Sequence, residues 1–326
     1  MDSGSGTSEH DELEVLHLAR SDLRRKIRSR SSTRPETRVD NESLQEFDWQ
    51  AAFNELRHRF GSLGMVERSG EVDEFGMDDV SLDRSRMLLD FLMDRYWRAE
   101  VSGLDAIDSG GPNLFVANCS GLLPYDGLML SHAVERWHPT RDRPRFLVAD
   151  WLMTLPFAQP YLAQLGGVRA CRENADRLLR TGHSVIAFPE GVRGAAKVFA
   201  ERYRLKRFGR SGVIRAALEN RAPLVPEGIV GAEEAHPILF KADLPARAIG
   251  LPFAPVTPTF PLLGPLGLLP LPTKWIIRVG EPIPLEDLGA GALDDESLLS
   301  RVIEELRERI QELGSEALER RASAWG

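Results

Sequence analysis

Residues 185–197 read Val-Ile-Ala-Phe-Pro-Glu-Gly-Val-Arg-Gly-Ala-Ala-Lys. An apolar run stops abruptly at Pro189-Glu190-Gly191, and Arg193 and Lys197 follow. Proline withdraws a ladder donor and glycine admits sharp turns, so the run reads as a buried strand that ends in a tight, cation-bearing turn. Outward from it the pattern alternates. Residues 113–117 form an apolar strand before the helix at 127–137, and 145–149 is a strand before the helix at 174–180. The strand at 184–188 precedes a helix at 211–219, and 224–230 and 275–279 are further strands. Strands alternating with helices predict an α/β fold with a mainly parallel sheet flanked by helices. Upstream, Met87, Leu88, Phe91, Leu92, Tyr96 and Trp97 recur at helical spacing over 81–99, and 101–107 reads as an edge strand and turn. Downstream, Asp294 or Asp295 caps a last helix whose apolar stripe is Leu298, Leu299, Val302, Leu306, Ile310 and Leu313.

The chain has 326 residues, 42% hydrophobic and 28% charged, which excludes a wholly disordered, collagenous or disulfide-scaffold protein. Its organisation is expected as a disordered Arg-rich tail at 1–40, a short helical or irregular extension at 41–79, a main domain at 80–290 and a C-terminal amphipathic helix at 291–326. Two cysteines, Cys119 and Cys171, are too few for a disulfide framework or a four-cysteine zinc site, so a reducing compartment is expected. The N-terminal residues have no secretory signal pattern. No group of His, Cys and carboxylates has metal-ligand spacing, and no metal is expected. Net charge is −8, unevenly spread. Residues 41–108 are acidic, whereas 189–220 carry eight basic side chains against three acidic ones. A basic island in an acidic protein points to a local anionic ligand, not to nucleic acid.

Residues 151–168 and 248–273 contain no charged side chain. The second stretch exceeds the ~20 residues of a membrane-spanning helix, yet it holds seven prolines, a density no continuous helix tolerates. It reads either as a packed, proline-stiffened layer or as an apolar surface lying at a lipid interface.

A second informative segment is Leu114-Phe-Val-Ala-Asn118-Cys119-Ser-Gly-Leu-Leu-Pro-Tyr-Asp126-Gly, a strand running into a polar turn with Asp126 near the next helix start. Ligands of α/β sheets sit at such carboxyl ends. An arginine at a strand end, backed by further cations, suits a phosphate, because guanidinium forks pair bidentately with phosphate oxygens. Together, Asn118-Cys119…Asp126, Phe188-Pro189-Glu190-Gly191-Val192-Arg193, the strand Ala222-Pro-Leu-Val-Pro226 and the block Leu165-Gly-Gly-Val-Arg-Ala-Cys-Arg172 resemble the glycerolipid acyltransferase family, of the lysophosphatidic acid or lysophospholipid acyltransferase type. The resemblance spans roughly residues 85–285. It implies transfer of a fatty acyl group from an acyl thioester to a lysophospholipid or similar glycerol-phosphate acceptor. It needs no cofactor beyond acyl-CoA or acyl carrier protein as co-substrate. The expected partners are donor, lysolipid and a membrane surface, at a cytoplasmic, peripherally membrane-associated location. By that resemblance Cys119 and Asp126 stand at the catalytic positions, and Glu190, Gly191, Arg193, Lys197 and Arg172 at substrate-binding ones.

One departure matters. The family's catalytic histidine falls at Cys119. A thiol with reference pKa ~8.5 and a shorter reach does not simply replace an imidazole base. Three readings follow: Cys119 is a nucleophile that carries the acyl group as a thioester; another residue is the base; or the site is catalytically silenced and binds lipid or acyl-CoA. His132, beyond Asp126 on the same helix, serves only if the fold turns it back. His236, near a sheet end, is the other histidine worth testing. Glu227 is a further oddity, a carboxylate in an apolar strand.

Overall fold

The computed structural model describes residues 72–107, 111–119, 121–138, 142–155, 158–209, 212–242, 246, 251–285 and 293–325. The chain divides into two compact units, 1–67 and 68–326, and the description concerns the second. The expectations for the tail at 1–40 and for most of the 41–79 extension fall outside the described residues.

Helix α1 (Asp79–Phe91) starts where the Asp78 carboxylate accepts from the Val80 N–H at 3.2 Å, and it runs into a π-helical turn over Leu92–Tyr96. Then follow β1 (Glu100–Ser102), β2 (Leu114–Ala117), α2 (Tyr125–Trp137), β3 (Arg145–Val148), α3 (Asp150–Met153), α4 (Ala158–Gln164) and β4 (Gly167–Arg169). The chain continues through α5 (Arg172–Arg180), β5 (Val185–Ala187), α6 (Val192–Ala195), α7 (Gly212–Glu219), β6 (Leu224–Val230) and α8 (Ala232–Ala235). Last come a small antiparallel pair β7 (Phe240–Lys241) and β8 (Pro255–Val256), then β9 (Ile276–Val279) and α9 (Glu296–Arg320).

Seven strands form one sheet in the order β1-β9-β6-β2-β5-β3-β4. All neighbours are parallel except β6 and β9. The expected α/β architecture with a mainly parallel sheet is therefore present. Two features went beyond the expectation: β4, only three residues long, and the antiparallel sense of β9. On one face, Trp97 stacks on Trp275 at 4.4 Å within a core that includes Phe115, Met129, Phe146 and Ile186. On the other, Leu178, Ile214, Leu306 and Ile310 enclose Leu114, Val116 and Leu224. Helix α9 is thus part of the domain core. Asp295 caps it, accepting from the Ser297 and Leu298 N–H groups at 2.9 and 3.0 Å. Its buried residues are Leu299, Val302, Leu306, Ile310 and Ala317.

The two uncharged stretches separate. Residues 151–168 fold into α3 and α4, with Leu152 and Ala163 buried and Trp151 edge-on to Phe253 at 6.1 Å. Among the described residues of that stretch, Tyr161 is the exposed large hydrophobic. In the second stretch a 3₁₀ turn (Gly264–Leu268) leaves Leu262, Leu263, Leu266 and Leu269 at 84%, 59%, 68% and 62% exposure. Leu268 instead packs inward beside Phe253. No helix among the described residues is long and apolar enough to cross a membrane.

Candidate active site

Register sets the geometry. Val116 of β2 pairs with Ala187 of β5, and Ala117 of β2 pairs with Glu227 of β6. Both parallel strands end at the same edge of the sheet, so Cys119 and Glu190 emerge side by side. The Cys119 N–H donates to Glu190 Oε1 at 2.8 Å. Asn118 ties this corner to β6: its Oδ1 accepts from the Ile229 N–H at 2.7 Å and its Nδ2 donates to the Ile229 carbonyl at 2.9 Å. Asn118 is therefore a clamp.

Gly191 adopts φ +56°, ψ −141°, a conformation that a side chain makes costly, and this lets the chain reverse straight after Glu190. Gly194 is demanded by contact: a Cβ there would lie 2.6 Å from both Cys119 Cβ and Glu190 Cβ. The turn after β5 thus closes over the turn after β2.

Glu190 is buried and used up internally. Besides Cys119, it accepts from the Lys206 N–H at 2.6 Å and pairs with Lys197 Nζ at 3.3 Å. Lys197 also donates to Glu233 Oε1 at 2.5 Å. Burial alone would push the Lys197 ammonium down, but Glu233 and Glu190 outweigh it and hold it above its ordinary value, fully charged. Glu190 and Lys197, expected at substrate-binding positions, are thus engaged by partners from other turns. Arg172 is engaged likewise. It pairs with Glu219, and it follows β4, two strands from β5 and so ~10 Å away by strand spacing.

The basic island divides in the same way. Arg202 lies over the Phe199 ring at 4.2 Å, Lys206 pairs with Glu201 at 2.7 Å, and Arg215 pairs with Glu296. Arg193, Arg204 and Arg207 are exposed, and among the described residues no ion pair or hydrogen bond engages their guanidinium groups. Of the three, Arg193 is the one that stands in α6, within the motif that follows β5. A cavity of about 810 Å³ between α7 and α9 includes Arg207, Arg215 and Arg307. Glu296 and Glu304 already pair the last two, so it is not built as a phosphate seat.

Asp126 is buried in the first turn of α2, with Oδ1 accepting from the Gly127 N–H at 2.8 Å. A carboxylate there is favoured by the helix dipole. The Cys119 thiol faces this charge. Enclosure pushes it well above its ordinary value, Asp126 and Glu190 add to that, and Lys197 and a Gly121 N–H oppose it only in part. These surroundings favour the protonated thiol, the weaker nucleophile, over the thiolate. His132 is not turned back to the site: its Nε2 meets Asp90 of α1 at 2.9 Å.

His236 is the residue that spacing undervalued. It directly follows the turn of α8 at the end of β6, at the same edge as Cys119. Its ring stacks on Tyr125, the neighbour of Asp126, at 5.8 Å and 5° between planes. Its Nε2 lies 2.8 Å from the Leu268 carbonyl. With Gly121, Leu122, Gly194, Lys197 and Glu233 it lines a crevice of about 10 Å³, room for one water-sized group. No cluster of His, Cys and carboxylates among the described residues could hold a metal ion.

The acyltransferase family model matches residues 98–230, the span that carries both strand-end turns. The chain is 46% identical over 242 residues to "Uncharacterized protein Rv0502" of Mycobacterium tuberculosis, covering 74% of this chain and 68% of that protein. It is 46% identical over 276 residues to "Uncharacterized protein ML2427" of Mycobacterium leprae, covering 83% and 75%. The chain belongs to this acyltransferase family. Among solved structures, the 1-acyl-sn-glycerophosphate (LPA) acyltransferase, PlsC, from Thermotoga maritima aligns with 83% of this chain and 90% of its own, at TM-score 0.47 and 18% identity.

Proposed function

We propose that the protein transfers a fatty acyl group from an acyl thioester, acyl-CoA or acyl carrier protein, to a lysophospholipid or similar glycerol-phosphate acceptor at a membrane surface. The observation that carries this is the split within one motif: Glu190 and Lys197 turn inward, while Arg193, four residues from Lys197, is exposed and has no partner among the described residues. A free guanidinium at a strand-end turn is suited to grip an acceptor phosphate. Asp126, whose charge acts on Cys119, would orient the reacting groups. The leucines of the 3₁₀ turn, with Leu239 and Phe240 at 53% and 57% exposure, supply the apolar surface for membrane contact.

The test is to incubate purified protein with acyl-CoA and mixed lysolipids and analyse the lipids by mass spectrometry. A diacyl product that depends on Arg193 supports the reading. Lipid binding without any product supports the second reading, a silenced homologue that binds lipid or acyl-CoA, which the protonated Cys119 thiol favours.

A further inference from the structure

The acyl-transfer reading leaves the acceptor hydroxyl without a base, because the surroundings of Cys119 favour its protonated thiol and His132 is engaged by Asp90. We infer that His236 is that base, its Nδ1 taking the proton of the acceptor hydroxyl in the crevice between Gly121, Gly194 and Glu233. The inference rests on the acyl-transfer reading and assigns its missing step.

Hydrogen bonding decides the tautomer. A carbonyl oxygen only accepts, so the 2.8 Å contact to Leu268 puts the ring proton on Nε2. The lone pair then resides on Nδ1, which has no partner among the described residues. The stack on Tyr125 fixes the ring plane and ties it to the turn that carries Asp126. Burial lowers the imidazole, only partly offset by the Leu268 carbonyl, so the ring is neutral and able to accept at neutral pH. The titratable and charged groups that share its crevice are Glu233 on its own segment and Lys197 and Arg202 after α6, and Tyr125 of α2 lies against the ring. Leu268 closes the 3₁₀ turn that exposes Leu262, Leu263 and Leu266, so the carbonyl orienting the base comes from the proposed membrane-contact segment.

The step balances. Nδ1 takes the hydroxyl proton as the oxygen attacks the thioester carbonyl. The tetrahedral adduct collapses with cleavage of the C–S bond, and the imidazolium returns the proton to the departing thiolate. The products are an ester and a free thiol, and the imidazole is again neutral.

The experiment measures turnover of oleoyl-CoA on liposomes carrying lysophosphatidic acid, lysophosphatidylcholine and lysophosphatidylglycerol. It compares wild type, His236→Gln and His236→Phe, with a thermal melt for each; His236→Phe keeps the stack on Tyr125. The expected result is a kcat loss of ~10²-fold or more in both folded His236 variants with KM within a few-fold. The acidic limb of the wild-type pH profile should disappear with it. A folded His236→Gln variant with near-wild-type kcat and an intact acidic limb overturns the assignment alone. A wild type that makes no product on any acceptor overturns the acyl-transfer reading and the assignment together.

Discussion

Two groups of side chains in this domain are employed in opposite ways. Beneath the site, Glu190, Lys197 and Glu233 form a closed cluster, with further N–H groups from Cys119, Lys206 and Tyr203 directed at its carboxylates. Elsewhere on the surface, here the rim, Arg193 and the exposed leucines in and beside the 3₁₀ turn meet no such partners among the described residues. The interior groups hold two strand-end turns against one another; on the proposed reading the rim groups serve ligand. Interior variants should therefore cost stability and rim variants should cost binding.

The largest effect is expected at the rim. Replacing Leu262, Leu263, Leu266 and Leu269 by Ser together removes apolar area equivalent to about 4–6 kcal/mol of membrane affinity if each leucine is partly buried in lipid. Sedimentation with anionic liposomes should fall a thousand-fold or more, while the melting temperature stays within a degree or two. Sedimentation unchanged from wild type would remove the membrane half of the comparison.

Lys197→Met comes next. It leaves Glu190 and Glu233 buried without their cation, and breaking a buried pair from one side costs ~3–5 kcal/mol. Urea unfolding should show that loss. Arg193→Ala should do the reverse, weakening lysophospholipid binding by about 1.5–3 kcal/mol with no change in the urea midpoint. Equal stability losses in the two variants would erase the distinction between cluster and rim.

Glu227 offers a smaller, pH-dependent test. It is fully buried on β6, both carboxyl oxygens lack a partner, and burial raises it well above the ordinary carboxyl range. A group whose folded value is raised contributes fully below its unfolded value, ~4.3, and that stability is lost as pH rises toward the folded value. Glu227→Gln should flatten the decline in stability above about pH 4.3, read from urea midpoints across pH. An unchanged slope would mean that Glu227 does not titrate with unfolding.

Much of the fold was legible because it depends on local pattern. The apolar runs ending at Pro189 and Asn118, the Asp295 cap and the stripe Leu299, Val302, Leu306 and Ile310 each declare themselves within a few residues. What stayed hidden depends on distant partners. Arg193 and Lys197 read as one basic block, and only Glu233, 36 residues beyond Lys197, shows that the lysine turns inward. His236 looked like an ordinary loop histidine because Tyr125 and Leu268, which orient it, lie far off in the chain. Leu268 and Leu269 are alike in composition; the 3₁₀ turn alone buries the first beside Phe253 and exposes the second. The sense of β9 was equally invisible, since a four-residue apolar strand has no direction until it pairs.

The central claim is that acyl transfer proceeds here without chemistry at Cys119. The most direct measurement is lipid product and intact protein mass from the same reaction of wild type and Cys119→Ser with acyl-CoA and lysophospholipid. The expected result is a diacyl product from both, most of the wild-type rate retained in Cys119→Ser, and no mass added to either protein. A hydroxylamine-labile acyl adduct on wild type, with turnover abolished in Cys119→Ser, would contradict it.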